Sequence, residues 1–303
     1  MRPLLHLLTG CTATGKTGLA LRWAEKHGAE IVSCDSLLFY RGMDIGTAKP
    51  SPAELARVPH HLIDIREVTE PMDITGYLGA ARRAVAEILG RGRQVLVTGG
   101  SGFYLKAFLA PVADEVAVPE SLRAELRQRL EQQGLAALVA ELHQLNPAGL
   151  GALDVMNPRR VIRALERCRA SGRPLADLQR DFAARPAAFA DHAVQLCELV
   201  REPAELEQRI GQRVDTMLRA GLVAEVRGLL ARGLAENPSA AKAIGYRETV
   251  EFLAGRLPEN ELAPLIARNT RALVKKQRTW FKTQLPEHRR VAAAEAEVDG
   301  LFV

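Results

Sequence analysis

Gly10-Cys11-Thr12-Ala13-Thr14-Gly15-Lys16-Thr17 sets two glycines around four residues and follows them with an amine and a hydroxyl. The spacing fits the G-x-x-x-x-G-K-[ST] phosphate-binding loop. Gly10 and Gly15 permit backbone angles that a side chain would obstruct. Successive N–H groups, and the N-terminus of a following helix, can then face an anion. Lys16 would reach the outer phosphate oxygens as a point charge, and the Thr17 hydroxyl could hold Mg²⁺. The loop specifies a pyrophosphate group and leaves open the molecule that carries it.

Two further groups could act beside it. Residues 29–35 read as a short buried strand ending in Asp35, and in doubly wound sheets ligands bind outside the carboxyl ends of the strands. Asp35 is therefore expected to project toward the same crevice, the competing role being a helix cap or a loop hydrogen bond. Residues 94–102 read as a core strand ending in a glycine turn. ATP-hydrolysing proteins with such a loop usually end this strand in a carboxylate that helps hold Mg²⁺. Here it ends in Thr98-Gly99-Gly100-Ser101, which weakens an ATPase reading and puts a hydroxyl, Ser101, at the mouth of the site. The competing role for Ser101 is a turn, or a cap for a helix starting near Phe103.

The elements that must position these groups follow from hydrophobic spacing. The apolar run Leu4-Leu5-His6-Leu7-Leu8 predicts a strand before the loop, and Leu19 to Ala24 an amphipathic helix after it. Residues 40–50 form a long irregular segment with glycines and a proline, of a kind that is more often functional than not. Residues 59–65 predict an edge strand. Its adjacent His60 and His61 point to opposite faces and cannot easily share one metal ion. A helix is expected over 77–89, and from about Pro119 two charged helices, 120–133 and 135–145. Asn157 and Pro158 then cap and open a basic helix carrying Arg159, Arg160, Arg163 and Arg167. A strand over 192–199 returns the chain to the sheet. The final third is helical, with Arg209 and Arg213 on one helix face and a cationic helix over 262–283. The expected architecture is α/β: a mostly parallel sheet of P-loop NTPase type flanked by helices, with a small all-helical insertion. The boundaries are 1–117 and 188–303 for the core and 118–187 for the insertion.

Composition bounds the rest. With 303 residues, 47% hydrophobic and 25% charged, the chain is an ordinary globular protein. A net charge of +5 suits a polyanionic partner. No signal segment and no bilayer-length apolar run is evident. Cys11, Cys34, Cys168 and Cys197 lie far apart without zinc spacing. A reduced, cytoplasmic setting and a monomer without membrane association are expected.

Together these motifs resemble the bacterial tRNA dimethylallyltransferases, also called tRNA isopentenyl transferases. The resemblance rests on Asp35-Ser36 followed by Tyr40-Arg41-Gly42-Met43-Asp44-Ile45-Gly46-Thr47-Ala48-Lys49-Pro50. Pro59 to Asp64, Ile244-Gly245-Tyr246-Arg247 and Lys275-Lys276-Gln277-Arg278-Thr279-Trp280 agree in order and spacing, so nearly the full length is covered.

The resemblance implies that the loop, Thr12 to Thr17 in particular, holds the diphosphate of dimethylallyl diphosphate, with Arg213 a further contact. It implies that Asp35 is the general base on the exocyclic amine of an adenosine 3′-adjacent to the anticodon. Ser101, where the family usually has threonine, would offer its hydroxyl to the bridging oxygen of the leaving group. The implied tRNA contacts are Asp35, Ser36, Leu37 and Leu38, with Ser101 and Arg123. To these it adds Arg159, Arg160, Val161, Ile162 and Arg163, then Lys242, Ala243, Ile244, Gly245, Tyr246 and Arg247, all meeting an anticodon stem-loop. Three departures stand out. Ser101 lacks the rotamer-fixing methyl, Leu38 replaces a common glutamine, and Lys276 replaces an arginine able to grip phosphate in bidentate fashion. Three rival readings stay open on sequence alone: a small-molecule kinase, a non-catalytic RNA binder, and prenyl transfer to free adenosine phosphate.

Overall fold

The computed structural model describes residues 2–302. The chain forms two compact units, one made of the residues up to Ala110 and from Ala188 onward, the other of Pro111–Ala187.

In the first unit, β1 (Leu4–Gly10) leads through the glycine loop to α1 (Lys16–His27), then β2 (Ala29–Ser33), α2 (Pro52–Arg57) and β3 (His60–His61). α3 (Ile74–Gly90), β4 (Gln94–Gly99) and α4 (Gly102–Lys106) complete its first segment. The second unit contains α5 (Glu120–Leu145), α6 (Pro158–Ser171) and α7 (Leu175–Ala183). β5 (Ala193–Val200) re-enters the sheet, followed by α8 (Pro203–Arg219) and α9 (Leu222–Ala231). α10 (Pro238–Ala241), α11 (Tyr246–Leu253), α12 (Glu259–Gln284) and β6 (Arg289–Ala292) finish the chain.

The six strands form one parallel sheet in the order β3-β2-β4-β1-β5-β6. Helices cover both faces, which is why its central strands read as nearly continuous apolar runs. Leu5 and Leu7 of β1 pack with Val95, Val97 and the α3 residues Tyr77 and Ala81. Leu8 faces the other way and packs with Leu96, Cys197 and the α1 residues Leu19, Leu21 and Trp23. A third cluster, built from α8, α9, α11 and α12, holds Tyr40 and Met43 of the long irregular segment. Each such side chain withdrawn from water contributes about 1.5–3 kcal/mol.

Register brings the chemistry to one edge. Thr9 lies opposite Gly99 and Ser33 opposite Thr98, so the residues after β1, β2 and β4 leave the sheet at one level. β2 and β4 continue to hold each other past their ends: the Cys34 N–H donates to the Thr98 carbonyl (2.8 Å) and the Ser101 N–H to the Cys34 carbonyl (3.3 Å). This approach requires Gly99, where a Cβ would lie 2.1 Å from the Cys34 carbonyl oxygen.

The second unit has its own core, in which Leu126, Leu138 and Leu142 of α5 meet Val161 and Leu165 of α6 and Leu178 of α7. α5 is broken at Gly134, at φ 78° and ψ 172°, where the sequence separates two helices. The Asn157 side chain accepts from the Arg159 and Arg160 N–H groups, and Pro158 occupies the first turn. The unit begins at Pro111 rather than at 118. Asp114 there pairs with Arg167 of α6 at 2.5 Å, with both side chains largely buried, and Val116 packs on the core. The expected edge strand over 59–65 shrinks to two residues, because Leu62 and Asp64 take left-handed φ values of 64° and 54°. His60 meets the Val58 carbonyl and His61 the Glu30 carboxylate, so the pair shares no ligand. β6 was not anticipated.

Candidate functional site

The phosphate loop is shaped from its outer side. Arg209 of α8 donates from Nε to the Ala13 carbonyl at 2.7 Å, and Arg201 donates from Nε and Nη2 to the Thr14 carbonyl, both at 3.1 Å. Arg201 is held in turn by Glu205. In a trans peptide the N–H points opposite to the carbonyl. Pulling the Thr14 carbonyl toward Arg201 therefore turns the Gly15 N–H the other way. Ala13 pays for the bend with a φ of 68°, a strained angle for a residue with a side chain. On the other flank, Gln277 of α12 accepts the Thr12 N–H at 3.0 Å and donates to the Gly100 carbonyl at 2.9 Å. It ties the loop to the turn after β4. Replacing Gln277 with Ala is expected to lower stability by about 1–3 kcal/mol, the sum of two partly buried hydrogen bonds. The midpoint of urea unfolding measures this.

Two cavities open around these groups. One, of about 940 Å³, is lined by Lys16, Thr17, Arg209 and Arg213 together with Ile31, Leu38 and Ile63. The other, of about 580 Å³, is lined by Ser101, Phe103, Lys242, Lys276 and Trp280. Thr12, Asp35, Thr47, Gly100 and Arg213 line both. Asp35 thus stands where the two spaces meet. Its Oδ1 accepts the Leu37 N–H at 3.1 Å, a short local turn that fixes the carboxyl. Ser101 precedes α4 but makes no side-chain cap there. Its hydroxyl instead accepts the Ser36 N–H at 3.0 Å and donates to the Ser36 hydroxyl at 3.2 Å.

In the larger cavity Lys16, Arg209 and Arg213 set three cations against Asp35, and the other acids there, Asp44 and Asp64, both pair with Lys49. Burial pushes the Lys16 ammonium down to about 8, the neighbouring Arg213 adds to that, and Cys11 and Asp35 oppose it. Burial also lowers Arg213, with Asp35 partly compensating. An anion placed between them would relieve both. The thiols take no part as thiolates: burial drives Cys11 up to about 11 and Cys34 higher still.

Among the oxygen donors that line the larger cavity are the Thr17 hydroxyl and the Asp35 carboxylate. Among the described residues no group of three His, Cys, Asp or Glu side chains gathers to hold an ion by itself. Hard oxygen donors such as these suit Mg²⁺, which keeps waters and binds through substrate phosphates.

The structure sorts the sequence-derived RNA contacts. Arg159, Arg160 and Arg163 are exposed on α6, and Lys242 and Arg247 are exposed around α11. Ser36, Leu37 and Leu38 are half-buried at the cavities. Four of these residues are buried, although Ala243 still lines the second cavity. Val161 is fully buried in the core of its own unit. Ala243 and Gly245 are buried, and the ring of Tyr246 is completely enclosed, with its hydroxyl donated to Glu225 at 2.6 Å. Ile162 and Ile244 are half-buried. Arg123 pairs with Glu120 one turn away, at 3.6 Å. Gln277, Arg201 and Glu225 were missed, since no local pattern marks a polar residue whose partner lies far along the chain.

The sheet, the glycine loop after β1 and the cations over it define a P-loop-type α/β enzyme whose fourth strand lacks the metal-binding carboxylate of ATPases. Residues 38–284 match the family described as IPP transferase. Over 302 residues the chain is 64% identical to a tRNA dimethylallyltransferase of Opitutus terrae, covering 99% of this chain and 97% of the relative. It is 42% identical to a protein of that name from Deinococcus radiodurans, covering 98% and 95%. The chain belongs to the IPP transferase family. The crystal structure of the full-length tRNA isopentenylpyrophosphate transferase of Bacillus halodurans superposes with a TM-score of 0.69 at 32% identity, covering 99% of this chain and 92% of that one. A eukaryotic dimethylallyltransferase crystallised acting on tRNA shares the fold, with a TM-score of 0.83 at 22% identity over 96% of this chain and 74% of that one.

Proposed function

We propose that the protein transfers the dimethylallyl group of dimethylallyl diphosphate to the N6 amine of the adenosine 3′-adjacent to the anticodon, as a cytoplasmic monomer. The observation that carries this reading is the meeting of two cavities at Asp35, a cationic one bounded by the phosphate loop and a second with aromatic residues at its margin. The diphosphate would lie against the loop N–H groups, Lys16, Thr17 and Arg213. The acceptor base, unstacked from the anticodon loop, would enter through the second cavity, past Phe103, which is 50% exposed, and Trp280.

In the reaction the N6 lone pair attacks the allylic carbon, the carbon–oxygen bond to diphosphate breaks, and the N6 proton passes to Asp35. Lys16 and Arg213 stabilise the charge that grows on the departing oxygens. Ser101 donates to the bridging oxygen, for which its hydroxyl must turn from Ser36. Mg²⁺ bound through Thr17 and the phosphates would add charge neutralisation. The family's usual threonine would hold that hydroxyl in a narrower set of rotamers; here the Ser36 N–H, which the Ser101 oxygen accepts at 3.0 Å, can restrain it while its proton turns.

The exposed arginines of α6 suit an RNA backbone. Arg160 pairs with Asp154 at 3.9 Å, a surface contact of little energy that leaves its charge available, whereas Arg163, itself exposed, reaches the buried Glu166 at 3.3 Å. Changing Arg159, Arg160 and Arg163 together to Gln is expected to raise KM for tRNA and to flatten the dependence of log affinity on log salt by about 2, from three lost phosphate contacts. KM for the allylic substrate should stay the same. Transfer to free adenosine phosphate would leave both unchanged in this variant. Mass spectrometry of tRNA nucleosides after incubation with dimethylallyl diphosphate tests the activity itself. A mass gain of one prenyl group on adenosine is expected, and unmodified nucleosides together with tight ATP binding would return the kinase reading.

A further inference from the structure

Glu225 of α9 lines neither cavity, yet its carboxylate gathers four hydrogen bonds. It accepts the backbone N–H groups of Asp44 (3.1 Å), Ile45 (2.6 Å) and Gly46 (3.2 Å), and the Tyr246 hydroxyl at 2.6 Å. Three successive N–H groups converging on one oxygen-bearing group is the arrangement by which a backbone concavity binds an anion. Here the anion belongs to the chain itself.

The fit is tight on every side. Tyr246 is fully buried, and a Cβ at Gly46 would come within 2.5–2.8 Å of its ring and hydroxyl, so only glycine lets the segment reach Glu225. Burial and the Glu225 charge keep the phenol protonated, its pKa raised far above normal, and it remains a donor. The next residue carries the consequence. The Thr47 carbonyl accepts from Arg213 Nη2 at 3.0 Å, and Thr47, Arg213 and Asp35 all line both cavities. Arg213 is half-buried, and the Thr47 carbonyl is the acceptor that fixes the direction of its guanidinium. The pitch of that carbonyl is set by the peptide chain that Glu225 grips one residue earlier.

We infer that Glu225 is a positioning residue for the diphosphate site, acting through the 44–47 segment to aim the Arg213 guanidinium. The inference rests on reading the phosphate loop and Arg213 as the diphosphate site, and it does not depend on which group the diphosphate carries.

The test is calorimetric titration of the full chain with inorganic pyrophosphate and Mg²⁺, which needs no transfer reaction. Glu225→Gln keeps the volume but removes the charge and one acceptor oxygen. It is expected to weaken pyrophosphate binding about tenfold, within the range by which connected residues couple. Combined with Arg213→Ala, it should add no further loss, because the group it aims is gone. Tyr246→Phe removes one of the four bonds and should give a smaller loss, of about threefold, that also vanishes in the Arg213→Ala background. Far-ultraviolet circular dichroism establishes that each variant is folded, and Tyr246→Phe carries the test if Glu225→Gln is not. Pyrophosphate affinity within twofold of the parent in both folded variants overturns the inference. So does a loss that persists undiminished in the Arg213→Ala background, which would mark a general loosening of the segment. Failure of prenyl transfer to RNA, with these titrations as expected, would instead count against the reaction assigned above.

Discussion

Replacing Asp35 with Asn is expected to slow the transfer step by about 10²–10⁴-fold, the usual worth of a positioned general base, while RNA binding is retained. The substitution is chosen to spare the structure. An amide oxygen can still accept the Leu37 N–H now bonded to Oδ1 at 3.1 Å, so the turn after β2 survives. What disappears is the ability to take the N6 proton. The charge change acts in a second, opposite direction. Asp35 sits among cations and favours the protonated forms of Lys16 and Arg213, so its removal leaves the larger cavity more positive. KM for the allylic diphosphate should therefore hold or fall while kcat collapses. A protein merely damaged by the mutation would lose both. Single-turnover transfer with a labelled allyl donor separates the two parameters, and a kcat within threefold of the parent would reduce Asp35 to a turn residue.

The sequence made this carboxylate visible because its position is a local property. A short buried strand around Ile31 and Val32 that stops at a carboxylate says where the side chain must emerge, and registers β1–β4 and β2–β4 turn that into proximity with the loop. The Asn157-Pro158 cap and the two helices meeting at Gly134 were legible for the same reason, since each depends on residues within one turn of one another. β3 and β6 failed for complementary reasons. β3 is cut short by left-handed backbone at Leu62, a residue type that carries no warning of it, and at Asp64. β6 opens with two arginines, and its Arg290 is drawn to the buried Glu198 of β5, as is His288 just before it. Glu225 was out of reach, and Gln277 stood in a matching stretch with no role assigned, because their partners lie about 180 and 265 residues away. Motif resemblance has a different blind spot. It marks the segment around Tyr246 without saying which face is presented, and that ring is buried with its hydroxyl donated to Glu225.

Lys16 should give the largest effect on the diphosphate itself. Exchange for Met removes a charge from a site built around it, and a loss of about 10²–10³-fold in kcat/KM for the allylic substrate is expected, as when one donor is taken from an oxyanion site. The parent protein adds a signature in pH. With its ammonium held down to about 8, Lys16 loses its proton in the free protein well before an exposed lysine would. Pyrophosphate binds the charged form, so its affinity should decline as pH rises past about 8. Folding responds with the opposite sign. Between about 8 and the ordinary 10.5 the unfolded chain holds the proton that the folded one has released. The contribution of this group to stability therefore rises with pH across that window. Without ligand, Lys16→Met should lack the upward component in the thermal midpoint, and with pyrophosphate it should lack the alkaline decline. Lys16→Arg, always charged but larger and forked, should bind more weakly yet show a flat affinity from pH 7 to 9. A parent protein whose affinity is equally flat would mean that some other charge, not the lysine of the loop, grips the leaving group.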